Sequence, residues 1–278
     1  MPSFDTPDPL SVTLEFDNGS ARISAGKRTD TVVDVLPSNS ADEMDVQAAQ
    51  QTKVTCSGSK LLVRGPKKRS LFGKAGSVEV IIKLPAGSDV QGASSMADFT
   101  GEGRLGDCVL KTALGDIQLD EAGTVRLTTD DGDIRVDRVT GNAEITGSGR
   151  IDIGEIAGAA TVKNVNGETT VGEVTGELRV KASNGRITVG IAHAGVDAKS
   201  ASGGIRLGEV ARGQVVLQTA AGDLEVGIRE STAAWLDVDT RIGSVRNSLG
   251  PSEGPATSDE TVEVRARTGV GDIVIRRP

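Results

Sequence analysis

Aromatic residues are nearly missing from this sequence: its 278 residues include one Trp, four Phe and no Tyr. A core of ordinary size must then be filled by Val, Ile, Leu and Ala, which suits narrow units better than one broad hydrophobic centre. The same scarcity removes the stacking platforms that sugar sites and single-stranded nucleic acid sites use. Positive charge is also short, with 31 Lys and Arg against 39 Asp and Glu and a net charge of -8, so nucleic acid is not an expected partner. The two cysteines do not suggest a bridge: Cys108 falls in an apolar column, Cys56 lies in another region, and two free thiols are expected. The only histidine, His193, aligns with Thr175 at a corner and reads as a surface turn residue. No apolar run approaches the ~20 residues of a membrane span, and residues 1–9 lack the basic and apolar segments of a leader. The expected location is cytoplasmic, with peripheral membrane association as a variant. No glycine-rich stretch leads into Lys-Ser/Thr or opens a helix, so no phosphate cradle and no cofactor are expected.

Glycine, at 36 residues, is abundant, and it is periodic. The phrase Leu114-Gly115-Asp116-Ile117-Gln118-Leu119 returns as Asp131-Gly132-Asp133-Ile134-Arg135-Val136 and as Ser148-Gly149-Arg150-Ile151-Asp152-Ile153. The landmark recurs at Gly167, Gly185, Gly203 and Gly222, 17 to 19 residues apart, and more distantly at Gly243 and Gly271. A fixed period means stacked units. After each glycine the pattern is apolar, polar, apolar, which is the period of a strand. The first inward column reads Ile117, Ile134, Ile151, Thr169, Ile187, Ile205, Leu224, and only Thr169 breaks it. A second apolar pair stands seven and five residues before each glycine, as in Val125/Leu127 and Val215/Leu217. A third, single apolar position follows at Ala122, Val139, Ile156, Val174, Ala192 and Val210.

No repeat can bury such faces alone. A coil wound once per repeat sets like residue over like at ~4.8 Å and closes a continuous core. The expected fold is all-β: a single-chain parallel β-solenoid, or β-helix, of ~18-residue coils with a strand-rich N-terminal cap. Each landmark glycine serves a corner, and the mostly hydroxylic residues three positions earlier (Thr112, Thr129, Ser200, Thr219, Thr240, Thr268) suit a hydrogen-bond ladder along it. Residues 1–90 are strand-rich without the period and are expected to cover the first coil, with one helical turn or two between Asp42 and Gln51. Residues 91–278 form the repeat region, interrupted by a loop at 249–260, after which residues 262–275 are expected to supply a last coil.

The extended strands before Leu84-Pro85, followed by stacked phrases of the type Thr-x-x-x-Gly-Asp-Ile-x-Val, resemble a bacterial β-strand-repeat family of unknown function classed as adhesin-like and also called toastrack domains. The resemblance runs from about Val12 to Arg276 and rests on repeated short motifs. It implies a β-solenoid without established enzymatic activity, often associated with envelope stress or sensory systems. It offers no functional residues to carry over.

Three surface features are candidate sites. Lys163, Lys181 and Lys199 fall on successive coils and make a basic ridge on an acidic chain, for which solvated charges that block strand pairing are the plainer reading. In the stretch 64–74, the cations Arg64, Lys67, Lys68, Arg69 and Lys74 surround Leu71 and Phe72, a candidate docking loop for an acidic protein surface or anionic lipid headgroups. Asp98, Asp116 and Asp133 share one outward column, where neighbouring carboxylates raise one another's pKa and could cleave a polysaccharide. That column continues as Arg150, Glu168 and Arg186, a solvated ladder of alternating sign, and the calcium-binding nonapeptide of other solenoids is missing, so no metal is expected. The function expected is that of a non-enzymatic interaction module or scaffold for another protein in a sensory or stress-related system. The rival readings are a carbohydrate-binding or carbohydrate-cleaving solenoid and an exported adhesin or envelope sensor.

Overall fold

The computed structural model describes residues 2–66, 76–250 and 260–278. The chain divides into two compact units, Met1–Thr140 and Gly141–Pro278. Both are built of coils, and the expected parallel β-solenoid is what they form. In the second unit Ile151, Thr169, Ile187, Ile205 and Leu224 sit in register on successive parallel strands. Ala160–Asn164, Leu178–Asn184, Val196–Ser202 and Gly213–Ala221 form a second parallel ladder. The first unit repeats this with Cys108 on Val125 and Ile117 on Ile134. The inward columns are at most 1% exposed at Ile117, Ile134, Ile151, Ile187, Ile205 and Leu224, and the third-side residues Ala122, Val139, Ile156, Val174, Ala192 and Val210 are fully buried. Each fully buried Ile, Val or Leu contributes roughly 1.5–3 kcal/mol, so the stack is held by many equal small terms.

The corner glycine is required twice over. At Gly185 φ is 111°, a region that side chains rarely enter, and a Cβ there would run into the carbonyl oxygen of Gly167 one coil away. Thr169, the break in the apolar column, is fully buried and accepts a hydrogen bond from Asn164 Nδ2 at 3.0 Å. Asn164 also donates to the Gly149 carbonyl at 3.0 Å from the position that a hydroxyl fills in other coils. Two departures from the repeat meet across one corner, where the Asn164 amide N–H groups are satisfied and its Oδ1 stays buried without a partner.

The ends of the chain do not lie where the linear repeat places them. Ser11–Glu15 is flanked in parallel by Lys60–Arg64 on one side and Asp89–Ala93 on the other. Asn18–Gly26 is likewise flanked by Val78–Pro85 and Met96–Arg104. The first coil in sequence is therefore second in space, and regular stacking begins well before the Asp98-Phe99 phrase. Residues 1–90 supply coils of their own as well as a cover. The cover is antiparallel: Asp30–Pro37 lies on Val78–Pro85, Ser3–Asp5 on Asp30–Pro37, and Lys53–Ser57 on Lys60–Arg64. The segment expected to hold one helical turn or two is a nine-residue helix, Glu43–Gln51, against Asp30–Pro37. Its N-cap, Asp42, accepts from Met44 N–H at 2.8 Å, and Glu43 and Asp45 in the first turn suit the helix dipole.

The C-terminal segment is interleaved in the same way. Glu260–Val270 lies between Gly213–Ala221 and Thr232–Ile242, and Ile273–Arg276 between Leu224–Ile228 and Val245–Asn247. The expected last coil, residues 262–275, is thus next to last, and Thr232–Asn247 is terminal. A chain end flanked on both sides must break two ladders to fray, which protects it. Glu260 belongs to a strand rather than to the 249–260 loop, and residues 251–259 lie outside the described residues.

Candidate functional site

The carboxylate column is structural. Asp116 N–H donates to Asp98 Oδ1 at 2.9 Å, and Asp133 N–H donates to Asp116 Oδ1 at 2.8 Å. Each of these carboxylates receives the corner N–H of the next coil, which the ladder would otherwise leave unpaired. The column resumes at Asp223, which accepts from Asp272 N–H at 2.8 Å, and Asp272 accepts from Ser244 N–H at 2.8 Å. A second corner repeats the device, with Asp107 N–H donating to Asp89 and Thr124 N–H to Asp107, both at 2.8 Å. The hydroxyl ladder forms too. Thr129, Thr219, Thr268 and Thr240 donate to the carbonyls of Gly115, Gly203, Gly222 and Gly271 at 2.8–2.9 Å, whereas buried Ser200 Oγ has no partner.

His193 has a partner that its sequence position did not reveal: its Nε2 lies 2.7 Å from Glu173 Oε1. Both cysteines are free. Burial pushes the Cys108 thiol up to about 12, with the Asp89 and Asp107 carboxylates adding to the shift, so it is neither thiolate nor nucleophile at neutral pH. Among the described residues no cluster of three or more His, Cys, Asp or Glu is placed to hold a metal ion, and no helix is long and apolar enough to cross a membrane.

Of the 64–74 loop, Lys67, Lys68, Arg69, Leu71, Phe72 and Lys74 lie outside the described residues. Arg64 ends the strand Lys60–Arg64, and its Nε donates to Glu15 Oε2 at 2.7 Å, a pair about half exposed. The guanidinium is held above its ordinary pKa chiefly by that hydrogen bond.

The basic ridge is assembled in register. Lys163 pairs with Lys181, and Lys181 with Lys199, on adjacent strands. The column continues through Gln218 to Arg267 and ends at Asp239. Lys199 reaches Asp197 at 3.4 Å and Arg267 reaches Asp237 at 3.2 Å, while no ion pair engages Lys163 or Lys181 among the described residues. On the same sheet Arg179 and Arg265 stand in the neighbouring column, so cations outnumber carboxylates on one face of an acidic chain. Arg267 escaped notice in the sequence because interleaving puts it 49 residues from Gln218. A second glycine column was also missed. A Cβ on Gly172, Gly190, Gly208 or Gly227 would strike the carbonyl of Gly154, Gly172, Gly190 or Gly208, respectively, and the 18-residue spacing was its signal.

The other exposed feature is the terminal coil. Thr232–Ile242 pairs on one side only among the described residues, and there Trp235 is 80% exposed and Ile242 66% exposed. Leu236 and Val238, which occupy inward positions, are half-buried where their register partners Val264 and Ala266 are fully buried.

The comparisons with known proteins follow the repeat. The family model Toastrack DUF4097 matches residues 11–277. No curated protein matches the chain. Similar solved structures include a candidate cell adhesion protein of Clostridium sporogenes, at 14% identity over 100% of this chain and 98% of that one, with a TM-score of 0.22. A candidate adhesin of Bacteroides fragilis has 11% identity over 99% and 95% of the two chains, with a TM-score of 0.37. One from Parabacteroides distasonis has 12% identity over 98% and 95%, with a TM-score of 0.35. Matched to the family model over nearly its whole length, the chain belongs to the toastrack family.

Proposed function

We propose that this toastrack chain is a non-enzymatic interaction module that binds another protein, and that its terminal coil, Thr232–Asn247, is the binding surface. The observation that carries the reading is the edge strand Thr232–Ile242, 11 residues long, with one side that no strand among the described residues pairs and with Trp235 exposed. Such an edge accepts an added strand through main-chain hydrogen bonds, and side chains at alternate positions supply the selectivity. The half-buried Leu236 and Val238 continue the inward columns, so the occupant is an extended segment with apolar residues at every second position. The absence of catalysis is supported by the aspartate column, whose carboxylates are engaged by backbone N–H groups.

Trp235 is the only tryptophan, so its fluorescence reports on this edge alone. The experiment is a fluorescence titration of the full chain with a synthetic peptide of sequence 261–270, which has the required alternation, and with a version carrying proline at alternate positions. A saturable blue shift with the first peptide only is expected. No shift, or equal shifts with both peptides, overturns the reading.

A further inference from the structure

We propose that the basic column Lys163–Lys181–Lys199–Arg267 binds an unbranched acidic polysaccharide, a polyuronate, laid along the coils. The site borders the terminal edge at Asp239, Arg241 and Ile242, and binding there uses none of that edge's outward-facing backbone groups. Two observations combine. The first is the charge row: three lysines and an arginine in one register column, with Gln218 as the single neutral member, spaced by the ~4.8 Å that separates strands. Like charges so close repel one another, and they gain most from a counter-charge that follows the same row.

The second observation is a trough beside the row. Beside Lys163 the next outward position is the exposed Val165; on the following strands it is Ser183, Ala201, Ala220 and Gly269, with Arg241 at the end. The floor there is pressed close to the backbone, because a Cβ on Gly269 would meet the Ala220 carbonyl. Lys199, Gln218, Arg267, Arg241 and the exposed Ile242 and Val270 bound a cavity of about 710 Å³ at that end of the trough, with Asp239 as its one carboxylate against three cations. Small residues flanked by a row of cations leave room for a chain of rings whose carboxylates turn to one side.

The chemistry selects the polymer. Polyuronates carry one carboxylate per sugar, and their charge recurs at nearly the spacing of the coils. No aromatic residue lines the cavity, so neither bases nor sugar faces stack there, and recognition rests on the carboxylate carried by every ring. A lipid surface needs cations that protrude around an apolar anchor, whereas this row flanks a recess.

The test is binding of the full chain to immobilised polygalacturonate, with competition by galacturonate oligomers of defined length, by poly-glutamate and by neutral dextran. We expect salt-sensitive binding and competition that strengthens from the monomer to oligomers spanning several coils. Lys163→Glu/Lys181→Glu/Lys199→Glu weakens binding by about tenfold or more, while Lys27→Glu/Lys53→Glu/Lys60→Glu, with the same charge change elsewhere, leaves it near wild type. Melting curves of both triples confirm that each is folded, and Lys181→Gln serves as the milder variant if the ridge triple does not fold. Equal losses in the two triples, competition independent of oligomer length, or poly-glutamate competing as well as the polyuronate overturns the proposal.

Discussion

The two ends of the chain use the same interleaving and finish it differently. Near the N-terminus the outermost parallel strands, Lys60–Arg64 and Val78–Pro85, are covered by antiparallel strands; the edges left over among the described residues are Ser3–Asp5 and Lys53–Ser57, three and five residues long, and the part of Asp30–Pro37 beyond Val32, against which the helix packs. Near the C-terminus no strand among the described residues lies on the side of Thr232–Ile242, 11 residues long, that faces away from Glu260–Val270. Short strands with a lysine at the edge are how sheet proteins avoid unwanted pairing, and a long bare edge with an exposed tryptophan is its opposite. Interleaving therefore protects the chain end in both places, but only one place also protects the sheet. Selection against aggregation would close both edges, so an edge left open points to use.

The largest effect that can break this comparison comes from one substitution made at both ends. Leu61→Asp puts an unpaired charge at a position 1% exposed between two strands, and should cost about 4 kcal/mol or more or prevent folding. Leu236→Asp occupies an inward position at the open end and should cost about 1 kcal/mol. Urea unfolding of both variants decides it, and equal costs would mean that the C-terminal core is closed in solution. Next in size is the tie that holds the covering helix. Asp45 Oδ1 accepts from Ser77 N–H at 2.7 Å and its Oδ2 from Asn39 N–H at 3.0 Å, fastening the helix to the strands it covers. Asp45→Ala should cost about 1.5–3 kcal/mol by urea unfolding, in line with hydrogen bonds to a charged acceptor.

Much of this was legible in the sequence, and what was not has a common cause. The inward columns, the glycine corners and the lysine register follow from an 18-residue period, because like residues meet when each coil lies on the next in sequence. The ends break that premise. Nothing local to Ser11–Glu15 says that it will lie between strands starting at Lys60 and Asp89, since the pairing is decided by contacts some 50 to 80 residues away. Arg267 joins the lysine column by the same long jump. Thr169 was visible as a break in its column, but its partner Asn164 was not, because the contact turns a corner and neither residue follows the repeat. The aspartates show the same limit, because sequence displays a carboxylate and hides the backbone N–H that Asp98 and Asp116 each accept.

A smaller effect sharpens the comparison at the level of single amides. The N–H groups of Thr232–Ile242 that face away from Glu260–Val270 should exchange with deuterium well before those of Lys60–Arg64, which are enclosed on both sides. Native-state exchange read by NMR measures this directly, and equal protection would place an unseen cover on the edge.

The smallest effect tests whether the open coil is nonetheless well formed. Asp272 receives the Ser244 N–H at 2.8 Å and the Ser244 hydroxyl at 3.0 Å, and Arg246 lies 3.8 Å away. The Ser244 N–H and then its hydroxyl hold the carboxyl below the ordinary carboxylate range against the opposing effect of desolvation, and Arg246 adds the smallest share. A carboxyl whose folded pKa is depressed stabilises the fold above its unfolded value, near 3.9, and that contribution fades as pH falls through the folded value. Stability of the terminal coil should therefore hold to pH 4 and decline below it, and Ser244→Ala should move the Asp272 titration part of the way back toward the ordinary value. Side-chain NMR titration reads both. An Asp272 that already titrates at the ordinary value in the wild type means that the Val245–Asn247 corner is frayed in solution, and an edge so loose could not template the strand that the terminal coil is proposed to bind.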